Sequence, residues 1–346
     1  MKVQKIAGIT IIIIAIIYLL IVAQNILLPI VLAVFIWFLI KEIRSFFDRS
    51  KWIKLKVARW VKTILSSFIL FVVIGFMSKL LIDNIEELYK TLPTYNDNIT
   101  SISKTIQSWI GIDVSKMLDG YSNKINFQSI LSQIMNSISE IFSNIFFIVI
   151  YLVFILMEES SFSAKMKAIY TDKEKHNRFN EILINVDKSI LNYISIKTLL
   201  SIITATISYV ILLIIGIDSA LFWAFLIFIL NFIPSIGSLI ATLFPAVMAL
   251  LQYGDTTFAP FYWVLLGVGL TQVVVGNFLE PKMMGKSLNI SSLVVIISLT
   301  VWGSIWGVVG MILSVPITVI IIIAFSHFES TKNIAILLSK DGKINY

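Results

Sequence analysis

Cysteine is absent from this 346-residue chain, which rules out a disulfide framework, a thiolate metal site and a cysteine nucleophile. Histidine occurs only at 176 and 327, too few and too far apart to suggest a metal centre. No H-E-x-x-H or G-x-S-x-G constellation is present. Gly285-Lys286-Ser287 resembles the end of a phosphate-binding loop, but Glu280 stands where the first glycine is needed and no strand precedes it. These gaps point away from an enzyme, a cofactor and ATP. Charge is scarcest in one long stretch: Leu199 to Ser326 carries only Asp218, Asp255, Glu280, Lys282 and Lys286.

What remains is apolar. The chain is 58% hydrophobic with a mean hydropathy of +0.93, which no soluble domain of this size matches. Its natural partner is a lipid bilayer. The net charge of +7 raises nucleic acid as a partner, but the basic residues sort by membrane side and exclude it. Eight of them fall between Lys41 and Lys62 and mark a cytoplasmic loop. Across the predicted topology 22 of the 27 basic residues lie inside, with both termini cytoplasmic. A signal peptide is the competing reading of the first segment, but its apolar run is long and no A-x-A-like site follows.

The expected fold is an all-α polytopic membrane protein. About six full transmembrane helices are joined by two opposed re-entrant helical hairpins, an inverted repeat, and an external amphipathic helical arm. Ile6 to Ile40 contains no charge and would form a helix of ~52 Å, too long for a core of ~30 Å. Gln24-Asn25 and Pro29 divide it into two spans, 6–23 and 26–40, in a tight hairpin. Residues 1–82 thus hold membrane helices 1–3 as a scaffold. The external arm is 83–139, with Ile99, Ile102, Ile106, Trp109 and Ile110 on one face. Residues 140–197 give a fourth span and a cytoplasmic interfacial helix, 198–325 a transport unit with two hairpins, and 326–346 a cytoplasmic tail. Trp52, Trp60, Trp109, Trp223 and Trp263 are expected in an interfacial belt.

Two interruptions inside apolar runs carry the functional reading. In Asn231-Phe-Ile-Pro-Ser-Ile-Gly237, Pro234 removes a backbone donor and Gly237 allows a reversal. Asn231, Ser235 and Ser238 can satisfy the freed groups or meet a polar substrate. The arms on either side are short, so the economical reading is a hairpin dipping in from outside; two full spans give the same parity. A packed kink is the plainer alternative. The second interruption is Trp302-Gly-Ser-Ile-Trp-Gly-Val-Val-Gly310, with Gly303, Gly307 and Gly310, flanked by cytoplasmic charge. Broken helices at depth usually line a cavity, because backbone freed in hydrocarbon is costly unless it is satisfied. Gln272, Asn277 and Glu280 share roughly one helical face, and Glu280 is a candidate proton or cation site. A surface carboxylate paired with Lys282 is the plainer reading. Pro245, Pro281, Gly285 and Pro316 are the expected structural hinges.

Three motifs in order carry a resemblance over nearly the whole chain. They are Asn-Phe-Ile-Pro-Ser-Ile-Gly at 231–237 with Pro245 behind it, Glu-Pro-Lys-Met-Met-Gly at 280–285, and Trp302 through Pro316. With these the chain resembles the autoinducer-2 exporter family, or PerM-type permeases. The resemblance implies a bacterial inner-membrane homo-oligomer, a pentamer being the candidate state, with an elevator-like transport unit built on the hairpins. It implies autoinducer-2 or, for some members, sodium or lithium exchanged for protons. Ser235 departs from the aromatic residue common in the proline motif, and Ile196-Lys197 from a Gly-Gln pair. The expected function is a secondary transporter exporting a small polar solute held where the tips Asn231–Gly237 and Gly303–Gly310 meet. The alternatives are a cation/proton antiporter titrating at Glu280 and a non-transporting scaffold that binds an envelope partner through the arm.

Overall fold

The structure is a computed structural model that describes residues 2–49, 58–91, 98, 127–170, 172–254, 256–284 and 289–343. Most of the expected arm, together with Trp52, Trp109, Asp255, Gly285 and Lys286, lies outside the described residues. Among the described residues the chain is helical, apart from one isolated backbone bridge between Ile290 and Ser339. Among the described residues seven helical segments are long and apolar enough to cross a membrane, with 292–326 taken as one. The protein is therefore an all-α polytopic membrane protein.

The helices are α1 (Lys2–Val22), α2 (Gln24–Arg49), α3 (Arg59–Thr91), α4 (Phe127–Ile169), α5 (Lys173–Ile215), α6 (Ala220–Leu230), α7 (Ile236–Tyr253) and α8 (Ala259–Val274). A π-helical turn (Val275–Leu279) then leads into α9 (Glu280–Met284), followed by α10 (Ser292–Ser326) and α11 (Lys332–Leu338). The chain divides into two compact units. One comprises 1–67, 142–195 and 284–346, and the other 68–141 and 196–283.

In the first unit α1 and α2 meet through the single residue Ala23. They touch only near that joint, so the expected tight hairpin of 6–23 and 26–40 does not form. Ala23 N–H still bonds Leu19 and Leu27 N–H bonds Ala23, which leaves no room for a reversing loop. The core of this unit joins α2, the first half of α5 and the end of α10 through Phe38, Ile190, Ile194, Val319 and Ile323. Polar fasteners surround it. Arg44 grips Glu159 with both terminal nitrogens, at 2.6 and 3.3 Å. Trp37 Nε1 and Arg59 donate to the same carboxylate, and Arg44 also reaches Thr63. Lys41 pairs with Asp187, and Ser195 donates to Glu42.

Helix α10 is one helix in name only. Trp306 (φ −127°) and Gly307 (φ +60°, ψ −141°) break it. Along a straight helix, residues 302 and 310 would stand ~12 Å apart. Instead the Trp302 carbonyl lies 2.0 Å from where a Cβ on Gly310 would sit. Ser298 Oγ donates to Ser314 O at 3.0 Å and pairs with the Thr318 hydroxyl. Residues 292–305 and 308–326 are thus two arms of a helical hairpin. Helix α11 folds back beside it, with Ser291 N–H bonding Leu338 O, so part of the expected tail is ordered.

In the second unit α6 and α7 form the other hairpin, packed beside α8 on a core of Leu212, Phe222, Trp223, Ile227, Met248 and Val268. Trp223 is 1% exposed and donates to Asp218 O, so it is a core residue and not part of an interfacial belt. Helix α5 runs unbroken for 43 residues, because no glycine or proline interrupts 173–215; the expected interfacial helix and fifth span are one rod. It ends at Gly216 (φ +83°), where the N–H of Ile217 reaches back to Leu212 O in a left-handed cap.

Candidate functional site

The tip of the first hairpin follows from its sequence. Pro234 and Ser235 prevent α6 from continuing, and Ser235 takes a left-handed φ of +58° that β-carbon residues rarely adopt. Gly237 is required by contact, since a Cβ there would stand 1.8 Å from Leu230 O. Ser238 Oγ donates to Ser235 O at 2.8 Å, and Thr242 Oγ1 donates to Ser238 O at 2.9 Å. Asn231 closes α6 with its backbone N–H on Ile227 O. Ser235 supplies no side-chain cap to α7, so the positive end of that helix dipole is left at the tip. Pro245 is buried farther along α7.

A polar seam runs beside this tip. Lys197, Ser201, Thr204 and Ser208 recur at four, three and four residues along α5, so they share one face. All four are buried. Two contacts show which way that face points. Lys197 Nζ pairs with Glu280 Oε1 at 2.7 Å, and Ile211 Cγ2 lies 3.0 Å from where a Cβ on Gly267 would be. The α5 stripe therefore faces the antiparallel rod of α8, the π turn and α9. Counting inward from either contact sets Gln272 opposite 205–206, between Thr204 and Ser208. Gly269 touches Thr242 of α7, so Gln272 also lies level with the first turn of α7 and hence with the hairpin tip.

The seam is under-satisfied. Thr204 Oγ1 returns its bond to Leu200 O at 2.9 Å, as hydroxyls in apolar helices commonly do. Ser201 Oγ, Ser208 Oγ and Gln272 Nε2 are buried with no hydrogen-bond partner. Buried polar groups left unpaired cost about 1–3 kcal/mol each, so three in one seam call for a reason. Glu280 sits where the π turn ends, and π turns recur at functional positions.

The expected residues divide accordingly. Pro234, Ser235 and Gly237 meet at one tip with Gln272 level beside them. Glu280 stands at the end of the seam, and its partner is Lys197 rather than Lys282. Asn277 lies within the π turn and is exposed, so it does not share the buried face of Gln272. Pro281 opens the short α9. Gly303, Gly307, Gly310 and Pro316 belong to the second hairpin, in the other unit. There Gly303 abuts Met311, Pro316 is buried, and Trp306 Nε1 donates to Leu20 O at 3.2 Å, anchoring that tip at the α1–α2 joint. Ser201, Thr204 and Ser208 were missed, although their helical spacing inside an apolar span was a readable signal.

Comparison with known proteins finds a family and relatives along nearly the whole chain. The AI-2E family transporter model matches residues 9–330. The AI-2 transport protein TqsA of Escherichia coli K12 is 32% identical over 330 residues, covering 93% of this chain and 91% of that protein. A protein of Haemophilus influenzae named "Putative transport protein" is 29% identical, covering 91% of this chain and 90% of its own length.

Proposed function

The chain belongs to the AI-2E transporter family, and we propose that it exports a small polar solute across a bacterial inner membrane by alternating access. The observation that carries this reading is the α5–α8 seam. Three buried, unpaired polar atoms are aligned there beside a helix broken at its tip. In a membrane protein such groups mark a path for something that satisfies them. A hydroxyl-rich or carbonyl-rich molecule does so, because the amide nitrogen donates and the hydroxyls can donate or accept. TqsA is named for AI-2 transport, which makes an autoinducer-2-like signal the first solute to test.

The finer mechanism we infer is elevator-like, with the two hairpins re-entrant and acting as the moving parts. The same reading keeps both termini in the cytoplasm, supported by the placement of the basic residues. A homo-oligomer, with a pentamer as the candidate state, belongs to the same reading. The cation/proton antiporter alternative draws no support from Glu280, whose carboxylate is already paired with Lys197. The scaffold alternative rests on an arm that lies mostly outside the described residues.

Flux in proteoliposomes tests the proposal. Gln272→Leu should lower solute flux at least ~10-fold while the purified protein stays monodisperse. Flux equal to wild type would remove the seam from the pathway.

A further inference from the structure

Lys197 is an unusual residue to find at 6% exposure inside an apolar helix, and its position suggests a role of its own. Its ammonium sits 2.7 Å from Glu280, whose side chain is 27% exposed, and Glu280 is the only acid among the described residues along the seam. One helical turn deeper on the same face lies Ser201, with its hydroxyl buried and unpartnered. A carboxylate with an unpaired hydroxyl one helical turn along the same face offers hard oxygens of the kind alkali and alkaline-earth cations favour. The place such a cation would take is occupied by the lysine nitrogen.

We propose that Lys197 is a tethered cation, a specificity-determining residue that fills the inorganic-cation position at Glu280. The protein therefore binds neither sodium nor lithium there, and the seam is presented to its solute with no net charge. This rests on the transport reading only for its consequence, a solute flux independent of alkali cations; the occupancy of Glu280 stands on the ion pair itself. Without the ammonium, the carboxylate is left uncompensated in a half-buried position, which strongly favours recruiting a replacement charge. Shortening the lysine frees the space beside the carboxylate, and a small alkali ion is a charge that can enter it.

The experiment uses full-length purified protein in detergent. Melting temperature is measured in sodium, lithium and choline chloride at equal ionic strength. Wild type should melt alike in all three. Lys197→Gln should gain a melting temperature that rises with sodium or lithium concentration, by at least ~2 °C near saturation. The double variant Lys197→Gln with Glu280→Gln should lose that gain. A Lys197→Gln protein indifferent to the cation overturns the proposal, as does a wild-type cation response that Glu280→Gln abolishes. If Lys197→Gln is recovered poorly, its monodisperse yield is compared in sodium, lithium and choline. Rescue by the small cations supports the proposal, and equal loss in all three overturns it. Solute flux is measured separately on wild type. Its absence counts against the transport reading and leaves the melting result intact.

Discussion

At the scale of single residues, two glycines are fixed by what they touch. A Cβ at Gly237 would stand 1.8 Å from the Leu230 carbonyl oxygen, and one at Gly310 would stand 2.0 Å from that of Trp302. Backbone atoms cannot step aside as side-chain ends can. Gly237→Ala and Gly310→Ala should each destabilise the protein by about 3 kcal/mol or more, by overpacking against main chain. Gly276→Ala, with nothing within 4 Å, should be nearly silent. Gly307 is intermediate: φ +60° with ψ −141° is a region open essentially to glycine and strains any L residue by about 1–3 kcal/mol, but no atom blocks a Cβ. Thermal melts of the four variants in detergent should place Gly237→Ala and Gly310→Ala lowest, Gly307→Ala between and Gly276→Ala nearest wild type, and equal melting of Gly237→Ala and Gly276→Ala would contradict the contact. Gln272 gives the opposite kind of prediction. Gln272→Leu removes an unpaired buried donor, so it should melt at or above the wild-type temperature even as flux falls. A residue kept for stability would lose both together. Gly237 was legible because proline and glycine crowd into an apolar run. The pairing of Lys197 with Glu280 was not, because nothing local links residues so far apart in the chain.

At the scale of elements, the helices of the first unit are fastened by buried charge. Arg44 and Glu159 have side chains only 8% and 13% exposed, and they join α2 to α4 while Thr63 and Arg59 bring in α3. Glu159→Ala strands the Arg44 guanidinium without its partner, which should cost about 3–5 kcal/mol. Glu158→Ala one residue earlier breaks an exposed pair with Lys165 and should cost under about 1 kcal/mol. Denaturation midpoints of the two variants compare neighbours on one helix, so a small loss in Glu159→Ala would show the network to be ornamental. The second unit is held differently, by a clamp at the hairpin base. Gln252 accepts from Asp218 N–H and donates to Gly216 O and Asp218 Oδ1, while Tyr253 OH reaches Gly216 O. Sequence reasoning found most of these elements, since apolar length and charge punctuation are local signals. It misplaced two joints. At 23–25 it expected a reversal where α-helical bonds continue to either side of Ala23. At 197–198 a change in composition suggested a boundary, but a change in polarity without a breaker does not end a helix.

For the molecule as a whole, the two hairpins echo one another. Each returns on a glycine pressed against a carbonyl of the opposite arm, Leu230 with Gly237 and Trp302 with Gly310, and each falls in its own unit. Such paired breaks are what an inverted repeat leaves behind, and their orientation decides whether they are re-entrant. Helix α6 has 11 residues and spans only ~16 Å, about half of a ~30 Å hydrocarbon core. That shorter arm limits how far its partner α7 can carry the tip, so Ser235 should lie at mid-depth. The absence of cysteine makes this directly measurable, because single cysteines can be introduced without background. Cysteines at Ser219 and Thr256 should both react with a membrane-impermeant thiol reagent from outside, and those at Ser291 and Glu329 both from inside. Flanks on one face are common to re-entrant and full-span hairpins, so the tip decides. A cysteine at Ser235 should resist the impermeant reagent from the cytoplasmic side and react with a small permeant one. Rapid cytoplasmic labelling at Ser235 would mean that α6 and α7 cross completely, and the break beside Gln272 would then lie at a surface instead of within the bilayer.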